Sequence, residues 1–224
     1  MSNGIFSYDS KLTSVLSFVA DLFILNIIYL FSCIPLVTIG AAQAGLYTAM
    51  RVLQDPMDDS SVLKAYFRGF KNGFGSITIV HTAFLILDLM LIYTLWVCFT
   101  NVNTGLFVHW AFPLVVLCIC GVIHALLPAF HARFRCRPFH LFRNCVLLFI
   151  SHPLRSIIIG LLTWAPLIIL LWNVGFFSTA SVVFFTVYYS VAFLFGVVLL
   201  QKPFKLLMEN DDPDEAFDEI KEAI

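Results

Sequence analysis

Between Asp21 and Tyr47 the chain reads DLFILNIIYLFSCIPLVTIGAAQAGLY, and no other stretch limits its fold as tightly. From Leu22 to Leu36 only Asn26 and Ser32 are clearly polar, so the segment needs lipid or a large protein interior around it. Pro35 removes a helical hydrogen bond, and Gly40 gives the backbone freedom to turn. Backbone groups released at such a break find no water inside a bilayer, so protein must satisfy them. The stretch is therefore expected to pack at the centre of a helical bundle.

Composition agrees with a lipid setting. The chain has 224 residues, of which 60% are hydrophobic and only 12% charged, with 24 Phe. Soluble domains carry about a quarter charged residues. A mean hydropathy of +0.93 points the same way. The net charge of −1 says little, because eight of the fourteen acids lie at or beyond Glu209. The others are Asp9, Asp21, Asp55, Asp58, Asp59 and Asp88. Cysteines 33, 98, 118, 120, 136 and 145 fall in apolar runs or beside arginines, unlike a secreted disulfide framework. Ala41-Ala42-Gln43-Ala44 offers small residues for signal cleavage, but only Lys11 precedes a long apolar run holding Asp21. Retention as a first span is the better reading.

Taken in order, the chain predicts an all-α, polytopic membrane bundle of about five transmembrane helices. The expected spans are about 15–39, 76–99, 106–130, 156–172 and 179–200, each near the length that crosses a hydrocarbon core. Ser10, Ser14, Ser17 and Asp21 form a polar stripe leading into the first. Ala41–Leu53 reads as too short and too polar to cross. Leu63, Tyr66, Phe67, Phe70 and Phe74 repeat at helical spacing opposite Lys64, Arg68 and Lys71, which predicts an amphipathic interfacial helix. A second interfacial segment carries Phe139, Phe142, Val146 and Phe149 along one side. Residues 1–208 form the bundle and 209–224 an acidic cytoplasmic tail. In that tail Asp212 caps a short helix with Phe217, Ile220 and Ile224 on one face.

Basic residues orient the spans. The 41–75 connection holds four Lys/Arg, the 131–155 connection five and the tail three, against none in the turns 101–105 and 173–178. Those three basic regions face the cytoplasm, and five spans then put the N-terminus outside. The competing arrangement folds 15–53 as a re-entrant hairpin around Pro35 and Gly40, leaving both termini inside. The length of the apolar run favours five spans. Spans two-three and four-five then form like-oriented hairpins, a pattern of parallel repeats in transporters. Their residues show little similarity, and a bundle of hairpins arises easily without duplication.

Asp21, Asn26, Pro35-x-x-Thr38-x-Gly40 and Tyr47 together resemble the N-terminal signature of the YesL-like family of bacterial membrane proteins, a domain of unknown function. The resemblance continues through AYFRGFKNGF and FRNCVLLFISHPLRS. It implies an integral protein of the bacterial inner membrane, often encoded near carbohydrate uptake systems, and implies no mechanism.

Asp21 and Asp88 are the acids expected within the membrane, where buried charge is costly and usually functional. Thr78, His81 and Asp88 share a helical face and would suit a proton or cation pathway. The plainer reading places Asp21 near the outer interface and bonds Asp88 within the bundle. Cys120, His124 and His131 also share a face, but Pro128 disrupts the register and no multi-ligand metal signature exists, so no metal or cofactor is expected. Arg133, Arg135, Arg137 and Arg143, like Lys64, Arg68 and Lys71, act as topology determinants and potential contacts for anionic lipid. So short a patch in a membrane protein does not suit nucleic acid.

Nothing in the sequence supplies a nucleophile elbow, a phosphate loop or a zincin motif, so the chain is not expected to be an enzyme. The expected function is a non-enzymatic accessory or scaffold protein, with permease subunits of a carbohydrate uptake system as partners. The alternative is a small secondary transporter or channel using Asp88 and His81. The sequence leaves the oligomeric state open.

Overall fold

The computed structural model describes residues 11–55, 61–100, 108–134, 137–172 and 179–209. Within them lie eight α-helices: α1 Lys11–Ser32, α2 Ile39–Gln54, α3 Val62–Gly73, α4 Ser76–Thr100, α5 Val108–Arg133, α6 Pro138–Ser151, α7 Pro153–Trp172 and α8 Thr179–Glu209. No strand occurs among the described residues. Five of the segments are long and apolar enough to cross a membrane, which fits a multi-pass membrane protein: 15–32, 36–54, 76–100, 111–133 and 187–205. A sixth arises if α6 and α7, which meet at 115°, count together. Large apolar side chains face outward along these helices, among them Phe31, Ile79, Met90, Trp96 and Phe112. Water would penalise so broad an apolar surface, whereas lipid does not.

The first span differs from its expected course. The helix that was to run to Ile39 stops at Ser32, where Pro35 and a 3-10 turn over Leu36–Thr38 interrupt it. Thr38 bridges the break: its hydroxyl lies 2.6 Å from the Ser32 carbonyl oxygen and 2.7 Å from that of Pro35. The chain then re-enters helix as α2, two thirds buried, although Ala41–Leu53 read as too polar to cross. Every residue from Gly40 to Met50 is buried. The helix is central because it touches α1, α3, α4, α5 and α8.

The closest helix pair is α2 with α3. A side-chain carbon added to Gly69 would lie 2.5 Å from Thr48 Oγ1, and one on Gly73 would meet Ala44 and Ala41, so the two helices run antiparallel. Gly69-x-x-x-Gly73 and the small residues of α2 let the backbones approach in this way. The buried face of α3 is therefore Ala65, Tyr66, Gly69 and Gly73, while Leu63, Phe67 and Phe74 of the predicted apolar stripe are exposed. On α6 the protein-facing side is Leu141, Asn144, Cys145 and Leu148, and Phe139 is 74% exposed.

The remaining helices run through their prolines. The third span, expected over about 106–130, passes Pro128 and continues in helix to Arg133; α7 passes through Pro166, and α8 continues past Leu200 to Glu209. The acidic tail beyond Glu209, with Asp212, Phe217, Ile220 and Ile224, lies outside the described residues.

Candidate functional site

Helix α4 carries His81 and Asp88 seven residues apart, close to two turns, and buries both. On α5, His124 presents Nδ1 to Asp88 Oδ2 at 2.7 Å. Both side chains are almost fully enclosed, at 3% and 4% exposure. A carboxylate held away from water needs such a partner, because desolvation without one costs several kcal/mol. The imidazoles of His81 and His124 meet edge to face with centroids 4.1 Å apart. Beyond His81, its Nε2 donates to Gln43 Oε1 of α2 at 3.3 Å. The result is a buried polar chain across three helices, Gln43–His81–His124–Asp88.

Its walls are glycine on one side and aromatic rings on the other. Gly40 of α2 lies directly against His81, with no room for a side chain. Trp164 of α7 packs 5.5 Å from the His124 ring and ties itself down through Nε1, which donates to the Gly121 carbonyl at 2.9 Å. Phe84 lies 5.8 Å from His124 and is backed by Phe142 of α6 at 5.7 Å. Three atoms of the chain, His81 Nδ1, Asp88 Oδ1 and His124 Nε2, have no hydrogen-bond partner among the described residues. Chemically, the cluster can hold a proton at several adjacent nitrogen and oxygen atoms.

The residues singled out from sequence separate into several places. Thr78 is buried, but its hydroxyl lies 3.5 Å from the Gly73 carbonyl oxygen and it has no bond to His81. Asp21 is half-buried. Asn26 is fully buried at the α1–α8 contact, where its Oδ1 accepts from the Ser190 backbone N–H at 3.2 Å. Ser190 also donates its hydroxyl to the Leu22 carbonyl at 2.8 Å. Tyr47 packs at a tilt against Phe193, with ring centroids 4.5 Å apart and Gly196 against its hydroxyl. Pro35 is exposed at the helix break.

The grouping of Cys120, His124 and His131 dissolves, since His124 bonds Asp88 and His131 Nε2 approaches the Asn72 carbonyl at 3.5 Å. No group of three His, Cys, Asp or Glu with metal-binding geometry occurs among the described residues. Among the cations, Lys64, Arg68, Lys71, Arg137 and Arg143 are exposed and Arg133 is half-buried. Arg135 lies outside the described residues.

Sequence reading missed the Asp88–His124 pair. A signal existed: in an antiparallel hairpin, residues similarly distant from the turn lie at similar depth. Asp88 is 12 residues before Thr100 and His124 is 16 after Val108, an offset of about 6 Å at helical rise.

Residues 22–93, about a third of the chain, match the model of a family described as a protein of unknown function, DUF624. The matched part contains Gln43, His81 and Asp88 and ends before His124. No curated protein and no solved structure matches the chain.

Proposed function

We propose that this chain is a non-enzymatic accessory or scaffold protein of the bacterial inner membrane, with its C-terminus cytoplasmic and its N-terminus outside. Its partners are permease subunits of a carbohydrate uptake system, the association carried by the YesL-like resemblance. The observation that supports a structural role is the enclosure of the polar chain. Gln43, His81, Asp88 and His124 are at most 7% exposed. The clefts lined by Tyr47 and Phe204 and by Arg68 and His131 touch none of these four residues. A network this deeply buried ties α2, α4 and α5 together, as polar residues do between helices in lipid.

A second reading, a small transporter or channel, draws on the three unbonded atoms of His81, Asp88 and His124. Intramembrane groups of this kind serve proton relays elsewhere. Two measurements separate the readings. Affinity purification from native membranes is expected to recover permease subunits with the tagged chain. Reconstituted vesicles are expected to show no flux driven by a proton gradient. Flux that disappears in Asp88→Asn would establish the transporter and overturn the scaffold.

A further inference from the structure

We propose that Arg51, Arg68 and Arg133 form a binding site for a phosphate group, in a cleft that the polar chain does not reach. The three arginines come from three different helices, α2, α3 and α5, and line one cleft of about 340 Å³. That volume falls within the range of small-molecule sites. Asn72 and His131 line it too, and no carboxylate appears among its described lining residues. Like charges that share a partly desolvated cleft repel one another, and an anion between them turns that repulsion into attraction.

Phosphate suits a cleft lined by three arginines for a geometric reason. Its oxygens accept from several directions at once, and planar guanidinium forks match them in pairs. Arg51 is held in position for this task, since its Nη1 reaches the Ala132 carbonyl near the end of α5 at 3.4 Å. Helix ends leave such carbonyls unbonded, so the contact anchors the side chain without a competing acid. Gly69, on the cleft floor, keeps α3 close enough to α2 for Arg68 and Arg51 to address the same volume.

Two sources can supply the phosphate. One is a soluble phosphate or phosphate ester. The other is an anionic phospholipid headgroup, because an apolar cleft adjoins the basic one. The two share Arg51, Ala132 and Arg133, and the apolar side continues over Leu200 and Phe204. That apolar recess is small, about 20 Å³, so an acyl chain would lie along the outer apolar surface rather than in it, with the phosphate at the basic cleft. The site is narrower than the general basic surface: Lys64 and Lys71 do not line it.

The test uses the full chain in nanodiscs with two probes. The first is radiolabelled inorganic phosphate, measured by equilibrium binding in discs of phosphatidylcholine alone. The second is phosphatidylglycerol, counted by native mass spectrometry after extraction from mixed discs. The variants are Arg68→Gln, an exposed residue, and Lys71→Gln, an exposed cation on the same helix outside the cleft. At least one probe is expected to bind saturably and to lose about tenfold in affinity in Arg68→Gln, the loss of a charge-assisted contact. Lys71→Gln is expected to change it by less than about twofold, as a surface charge does. Phosphate binding that phosphatidylglycerol leaves intact identifies a soluble ligand; retained phosphatidylglycerol lost in Arg68→Gln identifies a headgroup. Binding of neither probe, or equal weakening by both variants, overturns the site. Both variants are compared only at matching elution volume and thermal midpoint, so misfolding does not imitate the result.

Discussion

Gly40 on α2 and His81 on α4 are so close that a carbon added to Gly40 would lie 2.7 Å from both Cβ and Cγ of the histidine. The polar chain and the break in the first apolar run are therefore one construction. The break delivers a glycine to the point where α2 crosses the histidine.

Gly40→Ala is accordingly expected to destabilise the protein by about 1–3 kcal/mol, the usual result of overpacking. Gly75 provides the control, since nothing lies within 4 Å of the position its side chain would take. Gly75→Ala is expected to be neutral or slightly stabilising. The fraction of monodisperse protein surviving a heating series in detergent reads both. Equal midpoints for the two variants would mean that α2 and α4 do not meet at this point.

Asp88 and His124 form a pair whose members should be worth more together than apart. Replacing either by leucine strands the other inside the bundle, while replacing both removes the need for pairing. The double variant is expected to lose about 1–3 kcal/mol less than the sum of the single losses. Strict additivity in the same heating assay would separate the two residues energetically.

The α2–α3 contact makes a sharper test. Gly69→Ala is expected to cost stability, because its added carbon would lie 2.5 Å from Thr48 Oγ1, 2.7 Å from Thr48 Cβ and 2.9 Å from the Gly45 Cα. Thr48→Ala removes the hydroxyl but keeps Cβ, so it should restore only part of the loss. Complete rescue would place the whole clash on the hydroxyl and show that the backbones stand further apart.

Topology follows from nine of the thirteen Lys/Arg residing in the 41–75 and 131–155 connections. Single cysteines at Asp58 and Arg135, in a background without native cysteines, should resist an impermeant thiol reagent in intact cells. One at Asn103 should react. Labelling of Asp58 with protection of Asn103 would invert the orientation.

The membrane class and most helices were legible because hydropathy is additive along the chain and needs no partner. The details that failed all depend on packing between distant segments. Leu63 and Phe67 are exposed, as a stripe turned toward lipid would be, but that stripe gave no sign that Gly69 and Gly73 form the face packed on α2. His124 was grouped with Cys120 and His131 along its own helix, whereas its bond crosses to Asp88, 36 residues away. Asn26 gave the opposite outcome: an amide amid apolar residues marked a buried contact, without revealing Ser190 as its partner. Arg51 carried no periodic or motif signal at all, since its place beside Arg68 and Arg133 exists only once three helices have assembled.

The position of α2 also sets a timetable for biosynthesis. Among the five long apolar segments, 36–54 is the least hydrophobic, and two thirds of it is buried inside the protein. One of its neighbours, α8, begins at Thr179, 125 residues after Gln54. At ordinary ribosomal speeds that gap lasts about 6–25 s. Throughout it the nascent chain holds a small-residue helix whose lateral surface has no mate on that side. An insertase or membrane chaperone that shelters such a helix would thus govern yield more than any later folding step.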